Sequence, residues 1–594
     1  MVVEDVLRSA PLQAGIERLA AELGRPQPEV AREVRADLEE MVATQSPAAV
    51  AAFDQLGRWA SRAYTVEPDA ASLDELKRLS QRHSLVFLPN HKSYLDPLVL
   101  RSVLRQAGLP PNHILGGINV NFWPFGALAR RSGVVFIRRT TGDDPVYKFA
   151  LREYLAHLVS AARNLEWYIE GGRSRTGKLR PPRLGALAYI VDAFRQGRTD
   201  DVYLVPTSIV YDQLHEVETM AAEAVGGTKP REGLAWALRY AKAQGQRLGT
   251  ARVRFGEPLS LRRAFHDPDS MFHASGNLTV EKLAFEVCHR INQATPITPT
   301  ALVTLALLGV GDRALTLGEI QATLEPLLEY VERRKLPMAG GGRVDISTPQ
   351  GVRGTLQALV RHGVVTCFAE GPEPVYAIGP DQHLVAAFYR NSIIHFFVNR
   401  AITELIAVWA ASRPLQGPVG ESWSEALRLR DLLKFEFFFA GKASFAEELR
   451  EELNILEPSW EERAEDPEAI RAGLRSMRLH LAHRVLRSFL EAYLVVADQL
   501  AALPPGQRWE EKAFLDDCIG RGRQYRLQQR LHSPESVSKE LFATGLQLAA
   551  SRGLIEPGDH LADRRAAFAA EIGEVVHRIG DLERLALTAL SGSE

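Results

Sequence analysis

The stretch Leu85-Val86-Phe87-Leu88-Pro89-Asn90-His91-Lys92-Ser93-Tyr94-Leu95-Asp96-Pro97 decides how the first half of this chain is read. The apolar run Leu85–Leu88 reads as a buried strand, and the polar residues behind it as the turn at the strand's end. His91 and Asp96 are five positions apart. On a continuous helix that step turns about 140°, so the two side chains would diverge, and only a turn brings them together. A neutral imidazole held by a carboxylate is a competent general base for a hydroxyl, contributing about 10²–10⁴ in rate. The same residues also describe a helix start, with Asp96-Pro97 as N-cap and first-turn proline and Ser93-x-x-Asp96 as a loose capping box.

Size and composition frame the rest. The 594 residues exceed one ordinary core, and 46% hydrophobic content is ample for two or three folded domains. A net charge of −2 argues against a general nucleic-acid binder. The charge is uneven, however, because Arg130 to Arg183 holds twelve Lys and Arg against five Asp and Glu. Such a local excess suits an anionic ligand, or a solvated face. Cys288, Cys367 and Cys518 are odd in number and far apart, without metal-ligand or disulfide spacing, which points to a reducing cytosolic setting; no metal and no cofactor is expected. Met1 to Gly24 lacks a secretory pattern. The best membrane-span candidate, Ile393 to Ala411, is interrupted by Arg400 and Glu404, and Ile297 to Val310 is too short. The expectation is a chain that lies on a membrane and does not cross it.

Along the chain, residues 1–65 carry helical spacing, and Val66-Glu67-Pro68-Asp69 reads as a linker. From about 84 to 258 short β-rich runs alternate with helical segments, at Leu85–Leu88, His113–Leu115, Val134–Ile137, Glu166–Ile169, Val202–Val205 and Ala251–Phe255. Alternation of this kind predicts an α/β domain, here 70–298, with a mostly parallel sheet flanked by helices. From 300 to 594 helical periodicity dominates and predicts a mainly α-helical C-terminal domain. Within it 301–380, with a Gly340-Gly341-Gly342 turn and two short strand-like runs, fits three helices and a wing; a winged-helix module and a helical packing domain are both open.

Ligands of open α/β sheets bind beyond the carboxyl ends of the strands, and the unusual residues cluster there. His91 follows the first run, Arg138-Arg139 follow Val134–Ile137, Glu170 to Lys178 follows Trp167-Tyr168-Ile169, and Pro206 follows Val202–Val205. Four ends on one rim would surround a cavity with a base, its orienting carboxylate and several guanidinium groups. Gly172-x₄-Gly177-Lys178 also approaches the phosphate loop of nucleotide hydrolases. Position 179 is leucine in place of a magnesium-holding hydroxyl, and Pro181-Pro182 oppose the helix that should cradle phosphates. The arginines read better as forks for a phosphate monoester.

These blocks, in order, resemble the glycerol-3-phosphate acyltransferases, in particular the long bacterial-type enzymes and their mitochondrial and peroxisomal relatives. The likeness runs from Asn90–Asp96 through Gly117–Pro124, Phe136–Arg139, Glu170–Lys178, Val205–Asp212 and Phe255–Pro258 to Thr295–Leu302 and Phe435–Phe439, covering roughly residues 70 to 500. It implies His91 as general base and Asp96 as its orienter. Arg138, Arg139, Arg173, Ser174 and Arg175 would bind the acceptor phosphate, with Lys92 and Ser93 beside them, Glu170 and Gly171 shaping the site, and Pro206 near the acyl donor. Lys92 stands where the family commonly has arginine, which keeps a cation and loses the fork.

The resemblance further implies transfer of a fatty acyl group from acyl-CoA or acyl carrier protein to the sn-1 hydroxyl of glycerol 3-phosphate, giving lysophosphatidic acid for phospholipid synthesis. Dihydroxyacetone phosphate is the alternative acceptor, and nucleotide hydrolysis at Gly172–Lys178 a distant alternative. No nucleic-acid partner is expected. Because the product is a lipid, the enzyme is expected at the cytoplasmic side of the cell membrane as a peripheral protein. Phe122-Trp123 and Ile393–Trp409 are the candidates for shallow insertion.

Overall fold

The computed structural model describes residues 2–118, 121, 125–138, 144–225, 227, 245, 247–267, 279–311, 313–340, 346–379, 381–412, 417–457, 460, 466–504, 506–507 and 509–591. Arg139, Phe122, Trp123, Gly341 and Gly342 lie outside the described residues. The chain divides into two compact units. One comprises Met1–Ser174, Leu179–His215 and Pro230–Thr295; the other comprises Arg175–Lys178, Glu216–Lys229 and Pro296–Glu594.

The first unit is built on a sheet whose strands are β1 (Tyr64–Glu67), β2 (Ser84–Pro89), β3 (His113–Gly117), β4 (Val134–Ile137), β5 (Leu165–Glu166), β6 (Val202–Tyr211), β7 (Gly249–Phe255) and β8 (Leu259–Ser260). Their order is β1-β7-β6-β2-β5-β3-β4, with β8 paired to β6. All neighbours run parallel except β6 with β7 and β6 with β8. Every residue of β2 is buried, as a central parallel strand covered on both faces requires. The chain leaves β2 toward β3 and β4, returns to β5 and then crosses to β6 on the other side of β2. The reversal at β2 is the topological switch where open α/β sheets form their binding crevice.

Three expectations need correction. Tyr64–Glu67 is a strand, so the segment taken as a linker begins inside the sheet. The run expected at Glu166–Ile169 ends at Glu166, and the loop starts at Trp167. Pro206 does not follow a strand but lies within β6, which continues to Tyr211. It is tolerated because β6 changes its second neighbour there, pairing with β8 at Tyr203 and Leu204 and with β7 from Thr207 onward.

Helices cover the sheet. Asp96–Gln106 buries Val99, Leu100, Val103 and Leu104 on one stripe and packs against Pro47–Ala60. There Asp54 accepts from Arg101 at 2.6 Å with both side chains buried. Gln27–Met41 packs on Pro145–Ser160, so the N-terminal helices belong to this unit.

The second unit is mainly helical. Near its start, the helices Pro299–Leu308, Leu317–Arg333 and Pro349–Arg361 accompany a small antiparallel sheet of β9 (Leu315–Thr316), β10 (Val365–Phe368) and β11 (Val375–Ile378), ordered β10-β11-β9. That is the element order of a winged helix. Further on, Ile394–Ala411 is long and apolar enough to cross a membrane by length and composition, yet 78% of it is buried inside the protein. Arg400 donates to Glu404 at 3.2 Å, and Glu404 also accepts the backbone N–H groups of Leu481 and Ala482 at 2.8 and 2.9 Å. The segment is a core helix, and its charges are internal connectors, so Ile393–Trp409 cannot be the inserting surface.

The same unit holds the end of the glycine-rich segment. Lys178 pairs with Glu436, which also accepts from Tyr493 at 3.1 Å, and the ammonium lies over the rings of Phe437 and Phe489. Gly177 has φ +82°, and a Cβ there would lie 1.9 Å from the carbonyl oxygen of Phe388, so both conformation and space demand glycine. Residues 179–184 form no helix. Lys178 is thus an internal ion-pair partner without the phosphate-cradling helix N-terminus, and the nucleotide-hydrolase alternative loses its basis.

Candidate active site

The site grows from the carboxyl end of β2. Asn90 extends the strand by bonding both ways to β6, its N–H to Thr207 at 3.1 Å and its Oδ1 from the N–H of Ile209 at 2.8 Å. The chain then turns, and Asp96 opens the next helix with its side chain fully buried. Asp96 Oδ2 meets His91 Nδ1 at 2.9 Å and accepts the N–H groups of Lys92 and Ser93 at 2.7 and 2.9 Å. Oδ1 accepts from the Tyr211 hydroxyl at 2.7 Å. A carboxylate can only accept, so His91 carries its proton on Nδ1 and leaves Nε2 as the basic nitrogen. The helix begins at Asp96 itself, with Leu95 at the N-cap position and Pro97 in the first turn, so Asp96 is not the N-cap that Asp96-Pro97 suggested, and its carboxylate holds the histidine instead.

A second loop is sewn onto the first. Glu170 Oε1 accepts the His91 N–H at 2.6 Å and Oε2 accepts that of Arg180 at 2.9 Å. Ser174 donates its N–H to the His91 carbonyl at 2.9 Å. Arg173 donates to the Tyr94 hydroxyl at 2.8 Å, with its guanidinium 3.7 Å from the centre of that ring. Gly171 has φ +67°, and a Cβ would lie 2.7 Å from Arg183 Cγ, so the turn between Glu170 and Arg173 requires glycine. Burial pushes the Glu170 carboxyl up to about 7, against the opposing Lys92 charge and the two N–H donors. Below the loops Glu166 on β5 accepts from Asn112 at 3.0 Å and from the Tyr168 hydroxyl at 3.2 Å, and burial raises it also to about 7.

The structure therefore gathers His91, Lys92, Ser93, Asp96, Glu170, Gly171, Arg173 and Ser174. Within the same unit it does not gather Arg138 with them. Arg138 stands three strand positions from β2, roughly 14 Å at ordinary strand spacing. Its guanidinium turns to the helix Gln27–Met41, meeting Glu40 at 2.7 Å and Asp37 at 3.0 Å, and lies over Tyr147. Arg138 thus ties β4 to the N-terminal helices. Arg175 is engaged by Glu223 at 3.0 Å within the helical unit. Pro206 pairs in register with Leu88, and its carbonyl accepts from Gly256 at 2.8 Å. Tyr211, Tyr168, Glu166 and Asn112 had no assigned role in the sequence. Tyr211 is 115 positions from Asp96, and no local spacing announces such a partner.

A histidine held by a buried carboxylate thus stands at the end of the central strand of a mostly parallel sheet, beside a conformationally tight glycine-arginine loop. The acyltransferase family model matches residues 72–210. A second model, for the glycerol-3-phosphate acyltransferase C-terminal region, matches residues 220–558. A protein of Mycobacterium tuberculosis (strain ATCC 25618 / H37Rv), with the provisional designation acyltransferase plsB1, is 45% identical over 576 residues, 96% of this chain and 92% of that one. The glycerol-3-phosphate acyltransferase of Pasteurella multocida (strain Pm70) is 28% identical over 533 residues, 86% of this chain and 63% of that one. Among solved structures, the 1-acyl-sn-glycerophosphate acyltransferase PlsC from Thermotoga maritima aligns with 41% of this chain and 76% of its own, at TM-score 0.26 and 14% identity. The chain belongs to the glycerol-3-phosphate acyltransferase family.

Two outcomes follow from the geometry. His91→Ala removes the imidazole that Asp96 orients and should lower acyl transfer by at least about 10². Asp96→Asn should cost nearly as much, because a neutral amide does not stabilise the imidazolium and, with its nitrogen toward Nδ1, holds the wrong tautomer. Steady-state rates on variants with unchanged circular dichroism check both.

The second concerns pH. The folded pKa of Glu166 lies above its unfolded value of 4.5, so folding favours the protonated form. Its contribution to stability is complete below about 4.5 and is lost as pH rises through about 7. Buried His113, lowered to about 4, has the opposite slope, so the comparison must be between variants. In Glu166→Gln, the amide of Asn112, whose Oδ1 has no partner, turns to accept from the new amide. Relative to the parent, urea unfolding of this variant should gain roughly 2–3 kcal/mol between pH 5 and pH 8; an unchanged difference across that range would refute the raised Glu166.

Proposed function

We propose that this acyltransferase moves a fatty acyl group from acyl-CoA or acyl carrier protein to the sn-1 hydroxyl of glycerol 3-phosphate, releasing lysophosphatidic acid. The observation that carries the reading is His91 held at Nδ1 by Asp96 at the end of β2, which makes Nε2 the basic nitrogen. Nε2 takes the proton of the acceptor hydroxyl as its oxygen attacks the thioester carbonyl. The tetrahedral adduct collapses with loss of thiolate, and the imidazolium returns the proton to sulfur. Asp96 stabilises the imidazolium without taking the proton. Arg173, stacked on Tyr94 at the loop that carries His91, is the cation assigned to the acceptor phosphate.

A single assay tests this: glycerol 3-phosphate and dihydroxyacetone phosphate offered separately with labelled palmitoyl-CoA and palmitoyl-acyl carrier protein, the products resolved by position. Acylation of glycerol 3-phosphate at sn-1 is expected, and preference for the ketone acceptor would reassign the substrate. Arg173→Ala should raise KM for the acceptor about tenfold or more, the loss expected for one charge-assisted contact, with KM for the donor nearly unchanged. A defect confined to the donor would move Arg173 to the carrier's phosphates.

The lipid product supports a peripheral position on the cytoplasmic face of the membrane. Release of the protein from membranes by high salt or alkaline carbonate is expected. Retention until detergent is added would reveal an embedded element.

A further inference from the structure

The hydrogen bond that His91 donates to Asp96 fixes one corner of the imidazole ring. Tyr168 bears on its face. Its ring stacks on the imidazole with centroids 4.1 Å apart and planes 30° from parallel. The phenol is itself anchored, donating to Glu166 at 3.2 Å, and Glu166 is gripped from the other side by Asn112 at 3.0 Å. Glu166 sits on β5 in register with Phe87 of β2 and Ile114 of β3, so the anchor belongs to the centre of the sheet. Burial and the neighbouring carboxyl keep the phenol protonated. We propose that Tyr168 is a positioning residue for His91, a flat rest that sets the plane in which Nε2 is presented, held in place by Glu166 and Asn112.

The ring has a second effect. The electron-rich face of a tyrosine attracts a cation, so the stack favours the imidazolium that forms as the base takes its proton. Replacing the ring by an aliphatic side chain withdraws this support and lowers the apparent pKa of the base. The charged and titratable groups around His91 come from several elements: Asp96 on the following helix, Lys92 on its own loop, Tyr168, Glu166 and Glu170 from β5 and the loop after it, and Tyr211 of β6 through Asp96. Cys288 of the helix Val280–Ala294 faces Glu170. Among the described residues, Tyr168 is the ring that meets the face of the imidazole.

The inference rests on His91 being the base, and the experiment separates the two claims. The full chain is compared with Tyr168→Phe, Tyr168→Leu and His91→Ala, measuring kcat and both KM values from pH 5.5 to 9. Tyr168→Leu should lower kcat about 10–100-fold with both KM values within about twofold, and shift the acid limb of kcat/KM downward by about half a unit or more. Tyr168→Phe, which keeps the ring, should restore kcat to within about threefold of the parent and the limb to its original place. If the leucine variant does not fold, Tyr168→Met fills the same space without a ring and takes its place in the comparison. Parent-like kcat in both aliphatic variants, or equal losses in phenylalanine and leucine, would overturn the positioning role while His91→Ala remains inactive. An active His91→Ala would overturn the base assignment instead.

Discussion

A carboxylate with no access to water must have its charge answered by the protein, and in this chain the answer builds the active site. Asp96 uses one oxygen for His91, Lys92 and Ser93 and the other for Tyr211. Two of those bonds are to backbone N–H groups of the turn that carries the histidine, so fixing the charge also fixes the turn. The position at a helix start adds the favourable end of the helix dipole. Removing the carboxylate therefore does more than disconnect a base. It leaves two buried N–H groups and a phenol without an acceptor, each at a cost of about 1–3 kcal/mol.

Around this charge the sheet supplies further carboxyl groups of a different kind. Glu170 and Glu166 are buried, both raised to about 7, and both occupied by donors from neighbouring elements. Glu170 joins the backbone of the histidine loop to that of the glycine-rich loop, and Glu166 supports the aromatic ring on which the histidine lies. The rigidity needed to hold a base near its reacting geometry thus comes from polar groups aimed into the sheet.

The fold was legible because short, continuous apolar runs alternate with helical ones, and a strand buried on both faces, such as β2, shows as such a run. Strand ends were less so. Glu166–Ile169 looks like a longer strand, but β5 ends at Glu166, with the Trp167 N–H still bonded to the Phe87 carbonyl, and Pro206 looks like a terminator until the change of neighbours along β6 is seen. The dyad was legible because its two residues lie close in sequence. The fate of the basic residues was not. Twelve cations between Arg130 and Arg183 suggest an anionic ligand, yet Arg138 meets Asp37 and Glu40, Arg175 meets Glu223, and Lys178 meets Glu436, each partner far away in the sequence. Charge counting cannot distinguish a cation that awaits a phosphate from one already neutralised by a distant carboxylate.

The division of the chain has a consequence for its birth on the ribosome. Arg175–Lys178 and Glu216–Lys229 belong to the unit made chiefly of Pro296–Glu594, although they interrupt the first unit. Gly177 lies against the backbone of Phe388, and that residue emerges roughly two hundred positions later, about 10–40 seconds at usual elongation rates. During this interval the glycine-rich segment next to Ser174 has been synthesised but not the bed that receives its end. The nascent chain consequently cannot finish one unit before starting the next. Its apolar and charged loop ends stay exposed for that time, the kind of waiting surface that chaperones shield.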